Sequence, residues 1–133
     1  MIVPDASIIA AAVTDSGAAG RFARDLLRRD SGAALPDFAD VETAAVLRKR
    51  WTARALDDEA FLVAIDALSA LPFPRFPARA FLGRAYELRA NLSPYDAVYV
   101  ALAEALGAEL VTADRRLAAA PGIRCRVCLV PPD

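Results

Sequence analysis

Short apolar runs alternate along the chain with longer segments whose apolar residues recur every three or four positions. Met1 to Asp5 is apolar up to its terminal acid and is predicted as a buried strand, although Pro4 is awkward in the middle of a sheet. Ala6 to Val13 has a helical pattern, with Ser7 as its candidate cap. A second helix is predicted from Ala18 to Arg29, on the spacing of Phe22, Leu26 and Arg29. Gly32 to Pro36 reads as a short strand. Asp37 is expected to cap the next helix, which runs towards Trp51 with Phe38, Val41 and Ala45 as its inward stripe. Asp57 is expected to cap an amphipathic helix carrying Phe61, Ile65 and Leu68 on one face.

Three prolines between Leu71 and Pro77 exclude a helix and leave an edge strand or an extended connection. Ala78 to Ala90 is predicted helical, with Phe81, Ala85 and Leu88 in register. Ser93-Pro94-Tyr95-Asp96 is a strong helix start: a capping serine, proline at the first position and an acid three residues after the cap. Val98, Leu102, Ala105 and Leu106 form its expected buried stripe, and Gly107 ends it. Glu109 to Thr112 reads as a strand, Asp114 to Ala119 as a short helical turn, and Arg124 to Val130 as the last strand. Strands separated by helices predict a three-layer α/β domain with a mostly parallel sheet. Ligands in such folds sit at the carboxyl ends of the strands, so the residues just after each strand are the ones to inspect.

Composition narrows the chemistry. At 133 residues the chain suits one domain, taken as 1–133. Apolar residues at 56% and charged residues at 25% exclude a disordered chain. No stretch approaches the ~20 apolar residues that a membrane crossing needs. The first residues lack the basic start and apolar centre of a signal peptide, so a cytoplasmic protein is expected. Basic and acidic residues nearly cancel, 16 against 17, which by itself predicts no nucleic-acid partner. The absence of histidine excludes His-based acid–base catalysis, Ser-His-Asp and Cys-His hydrolysis, and His-ligated zinc. Cys125 and Cys128 have C-x-x-C spacing, but no second pair completes a zinc site. In an alternating strand they point to opposite faces and share no chemistry.

Four acids fall where a site would form. Asp5 and Asp114 follow strands. Glu42 lies in the first two turns of its helix, between the apolar Phe38 and Val46, and Asp96 in the first turn of the Ser93 helix. Clustered carboxylates are costly unless protonated or bound to a cation. No lysine stands near any of them, and all-oxygen ligation points to magnesium or manganese. Each acid also has a plainer reading. Asp5 and Asp114 can be helix caps, Asp96 the partner in a capping box, and Glu42 a solvated residue favoured by the helix dipole. Spacing alone does not decide between the two.

The segments Ile2-Val3-Pro4-Asp5-Ala6-Ser7, Pro36-Asp37-Phe38 leading to Glu42, Leu92-Ser93-Pro94-Tyr95-Asp96-Ala97-Val98-Tyr99-Val100-Ala101-Leu102-Ala103 and Leu110-Val111-Thr112-Ala113-Asp114-Arg115-Arg116-Leu117 resemble PIN-domain ribonucleases. Among these the chain is most similar to the VapC-type toxins of bacterial toxin–antitoxin pairs. The resemblance runs the whole length, in order, and is most specific around Asp96. It implies a PIN-like α/β/α fold with a parallel sheet, and Asp5, Glu42, Asp96 and Asp114 as catalytic acids binding Mg2+ or Mn2+. It also implies a supporting hydroxyl at Thr112, an RNA substrate, an antitoxin partner and, for many members, a homodimer. Two positions depart from the family pattern. Pro4 stands where an aliphatic residue is common, and Leu117 where some members carry a further acid, which weakens the case for a second ion.

The activity so implied is metal-dependent hydrolysis of RNA phosphodiester bonds, which needs no histidine. Setting aside the four acids leaves thirteen against the 16 basic residues, a surplus of three positive charges compatible with a phosphate backbone. Arg115 and Arg116, beside Asp114, are candidate RNA contacts, or else a solvated turn. Two other classes compete. A non-catalytic PIN-like binding module would not need all four acids. A phosphoacceptor receiver would need a lysine after a late strand, and the single lysine, Lys49, is in mid-helix.

Overall fold

A computed structural model describes residues 1–29 and 31–131. Among the described residues five strands form: β1 (Ile2–Pro4), β2 (Leu35–Pro36), β3 (Arg75–Phe76), β4 (Glu109–Thr112) and β5 (Val127–Leu129). Every pairing is parallel. β4 lies between β1 and β5, while β2 pairs with β3, and a single bridge from Ile2 to Ala33 joins the two groups.

Pro4 explains why that junction is one bridge and not a ladder. Alternate residues of a parallel strand bond to opposite neighbours. Ile2 donates to the Gly32 carbonyl and accepts from the Ala34 amide, whereas Asp5 donates to Val111 on the other side. Pro4, two residues after Ile2, turns its nitrogen to the Ala34 side, where it has no N–H to give. Pairing with β4 is unharmed, and Pro4 sits opposite Val111.

The helices are α1 (Ala6–Thr14), α2 (Ala18–Leu27), α3 (Ala39–Thr52), α4 (Asp58–Ser69), α5 (Leu82–Glu87, entered through a 3-10 turn at Ala78–Phe81), α6 (Pro94–Leu106) and α7 (Arg115–Ala118). Side chains divide by face as the two-residue strand period requires. Val3 and Leu110 pack with α6 in one cluster. Ile2 and Val111 pack with Ile8, Ala12, Ala23 and Leu26 of α1 and α2 in the other. Cys125 packs against the first cluster and Cys128 against the second, so the two free thiols lie on opposite faces as the alternation predicts.

Several local expectations are corrected. The cap of α1 is Asp5, not Ser7, because Ser7 already lies inside the helix and its amide is one that Asp5 accepts. Phe22 is exposed, and α2 instead buries Gly20, Ala23, Leu26 and Leu27 against α1. Gly20 is required there: a Cβ would stand 2.0 Å from the Asp15 carbonyl oxygen. Asp37 does not cap α3, since its amide donates to Phe76 and its carboxylate accepts from Ala78, binding it to the β3 side. The helix therefore starts at Ala39, and its buried residues are Ala39, Thr43 and Leu47, whereas Val41 and Ala45 face solvent. In α6 every residue from Ala97 to Ala103 is buried, because the sheet lies on one side and α5 on the other. The expected stripe ends early, with Ala105 and Leu106 exposed. Asp57, Ser93 and Gly107 cap as predicted, Gly107 at φ 62°.

Candidate functional site

β1 connects through α1 and α2 to one side of the sheet, and β4 through α7 to the other. Their carboxyl ends therefore flank the point where the winding reverses, the crevice where open α/β sheets bind ligands. Asp5 and Asp114 stand there. Asp5 Oδ1 accepts from the Ser7 amide at 3.1 Å, the Ser7 hydroxyl at 2.5 Å and the Ile8 amide at 3.3 Å, and Thr112 Oγ1 donates to Oδ2. Asp114 caps α7, accepting from the Arg116 and Leu117 amides at 2.8 and 3.4 Å. Both strand-end acids are thus caps, and capping leaves Asp5 Oδ2 turned towards β4.

The other two acids come from helix starts. Glu42 reaches across from α3 to α6, where the Tyr99 hydroxyl donates to its Oε1 at 2.9 Å. Asp96 is in the first turn of α6, its amide donating to the Ser93 hydroxyl at 3.2 Å. Phe38, one turn before Glu42, meets both Tyr95 and Tyr99 edge-on at 5.4 and 5.5 Å between ring centres.

Charges of neighbouring acids act on Glu42 and Asp96. Burial pushes the Asp5 carboxyl above its ordinary value, against the pull of its four donors. Burial likewise raises Glu42, with Tyr99 opposing and the charges of Asp96 and Asp5 adding. Asp96 is raised by burial and then by Asp114 and Asp5; Arg116 eases it, but less. Tyr99 is pushed far up by burial and by Glu42, so its hydroxyl stays a donor. Among the described residues, no three acid or cysteine side chains are already gathered closely enough to grip one ion. What the site has is a set of carboxylate donors, among which Glu42 and Asp96 are repelled by neighbouring acids and only weakly compensated from within the protein. That is the donor chemistry a hard divalent cation takes.

Thr112, fully buried, stands between the strand-end acids, donating to Asp5 and accepting from the Asp114 amide at 3.0 Å. Arg115 and Arg116 are exposed on α7 beside Asp114. Leu117 is buried in the core, so that position contributes no oxygen to the site. Two contributing side chains are absent from the acid pattern. Ser7 touches Asp5, and Tyr99 touches Glu42. The signal for Tyr99 was its place three residues after Asp96, on the same helix face.

The PIN domain family profile matches residues 2–123. Ribonuclease VapC1 of Mycobacterium tuberculosis is 38% identical over 129 residues, spanning 96% of each chain. Ribonuclease VapC9 of the same species is 39% identical over 131 residues, spanning 98% of this chain and 99% of its own. In fold, the chain is similar to the crystal structure of Mycobacterium tuberculosis VapC20, described as a sarcin-ricin loop cleaving toxin. The TM-score is 0.68 at 20% identity, covering 99% of this chain and all of that one. The PAE2754 structure from Pyrobaculum aerophilum gives a TM-score of 0.64 at 23% identity, covering 89% of this chain and 82% of that one. The chain belongs to the PIN-domain family and, within it, to the VapC ribonucleases.

Proposed function

We propose that the chain is an endoribonuclease, the toxin of a toxin–antitoxin pair, and that Asp5, Glu42, Asp96 and Asp114 hold Mg2+ or Mn2+ for RNA phosphodiester hydrolysis. The observation that supports this reading is the pair of strand-end acids at the sheet's switch point together with Glu42 and Asp96, which feel the charges of neighbouring acids; burial raises three of the four. A bound divalent cation supplies charge for the phosphate oxygens and lowers the pKa of water.

The remaining work falls to the chain. Asp5 and Thr112 set the spacing between the strand ends, and Asp96 and Glu42 supply oxygen from the facing helices. Arg115 and Arg116 offer guanidinium forks for the phosphates flanking the cleaved bond. The ribonuclease names of its relatives support RNA as substrate. Their toxin class supports an antitoxin that covers this acidic rim, and family habit supports a homodimer and a cytoplasmic setting. Among the described residues, no helix is long and apolar enough to cross a membrane.

The test is cleavage of single-stranded and looped RNA by purified, antitoxin-free protein. Cleavage is expected with Mg2+ or Mn2+ and not with EDTA. Undiminished cleavage in chelator rejects the metal reading, and no cleavage of RNA under any condition rejects the nuclease.

A further inference from the structure

Tyr99 is fully buried in the middle of α6, yet its hydroxyl donates to Glu42 Oε1, 57 residues away in sequence. Its ring is fixed edge-on by Phe38, which lies one helical turn before Glu42 on α3. The phenol is therefore held at both ends, by its ring and by its hydroxyl, on the helix that also carries Asp96. Glutamate has three rotatable bonds and otherwise samples many positions. Here one of its two oxygens is tethered to a rigid aromatic, while Oε2 has no hydrogen-bond partner among the described residues.

We propose that Tyr99 is a positioning residue that sets the cation affinity of the acidic site by fixing Glu42. The proposal rests on the metal-binding reading of the four acids. Partners that orient a metal ligand from behind commonly change affinity 10–100-fold when removed. The plainer role of Tyr99 is a core side chain whose hydroxyl needs some acceptor. That role predicts a loss of stability with no change in how tightly a cation binds.

Calorimetric titration of Mn2+ into chelator-stripped protein separates the two. Tyr99→Phe keeps the ring against Phe38 and removes only the donor, and is expected to bind Mn2+ about 10–100-fold more weakly. Glu42→Gln is expected to bind weakly too. The double variant is expected to bind no more weakly than Glu42→Gln alone, because Tyr99 acts only through Glu42. Tyr86→Phe removes an exposed hydroxyl on α5, a helix that carries none of the four acids, and is expected to titrate like the wild type.

Wild-type affinity in Tyr99→Phe overturns the proposal. So does a Tyr99→Phe loss that adds in full to that of Glu42→Gln, or a Tyr99→Phe chain that no longer melts cooperatively in EDTA. The wild-type titration comes first, so that a protein taking up no Mn2+ rejects the metal reading itself. Uptake by wild type with no effect of Tyr99→Phe rejects only this inference.

Discussion

The Thr112 hydroxyl donates to Asp5 across 107 residues of chain, and the same oxygen accepts the amide of Asp114. One buried side chain thereby ties the acid at the end of β1 to the acid at the end of β4. Parallel pairing puts the strand ends side by side, and the hydroxyl fixes how their acids face each other. Thr112→Val preserves shape and removes both roles. It leaves the buried Asp5 carboxylate short of a donor, for an expected loss of about 1.5–3 kcal/mol. Urea unfolding in EDTA measures this, and Thr112→Ser is expected to recover most of it. A valine variant as stable as the wild type shows that the tie contributes nothing.

Asp96 and Asp66 make a matched pair for the catalytic assignment. Both are aspartates in helices, but Asp66 is exposed on α4, which carries none of the four candidate acids. Asp96→Asn is expected to abolish RNA cleavage and to relieve growth arrest on expression, and Asp66→Asn to do neither. Equal activity of the two variants removes Asp96 from the proposed cation site.

Where an element depends on local chemistry alone it was legible: Asp57, Ser93-Pro94, Gly107 and the Glu109–Thr112 strand all behave as read, whereas Ser7 and Asp37 fail as caps because Asp5 and the β3 side compete for those positions. Inward faces were less legible. Val41 and Phe22 fit a helical period, yet α3 turns Thr43 and Leu47 inward, and α2 turns Gly20 and Ala23, because neighbouring helices decide which face is covered. At Asp5 capping does not withdraw the acid from the strand end: Oδ1 caps α1, and the Thr112 hydroxyl of β4 donates to the other oxygen. The Tyr99 contact lay beyond the pattern of acids because it joins two helices whose packing no local periodicity records.

Gly20 tests that helix packing. Alanine in a helix interior is favoured over glycine by about 1 kcal/mol. Here the added methyl meets Asp15 backbone atoms at 2.0 and 2.7 Å, and backbone cannot rotate away. Separating α2 from α1 costs about 1–3 kcal/mol, which outweighs the propensity gain. Gly20→Ala is expected to lower the melting temperature; a rise means that the two helices part freely.

Burial and mutual repulsion at the site also predict how stability depends on pH and metal. Asp5, Glu42 and Asp96 have folded-state pKa values above their unfolded values of 3.8, 4.5 and 3.8. The folded protein therefore binds protons more tightly than the unfolded chain, and its stability falls as pH rises through the folded pKa values. In EDTA, melting is expected at higher temperature as pH is lowered from neutral towards the ordinary carboxylate range. Glu104 opposes this only near and below its ordinary 4.5. Burial raises its carboxyl, but the Arg84 guanidinium at 2.8 Å and the Arg124 amide hold it below that value. Mn2+ competes with protons for the same oxygens, so its stabilisation grows with pH, reaching about 2.7 kcal/mol at a hundred times its Kd. Melting curves with and without metal should therefore diverge as pH rises. Asp96→Asn removes one repelling charge without removing a cap, and is expected to melt at or above the wild type in EDTA at neutral pH and to lose most of the Mn2+ shift. Asp5→Asn is the poorer probe, because it also takes from Thr112 the acceptor for its hydroxyl. A wild type with no metal shift, together with an Asp96→Asn variant that melts clearly lower in EDTA, means that these acids serve the fold alone.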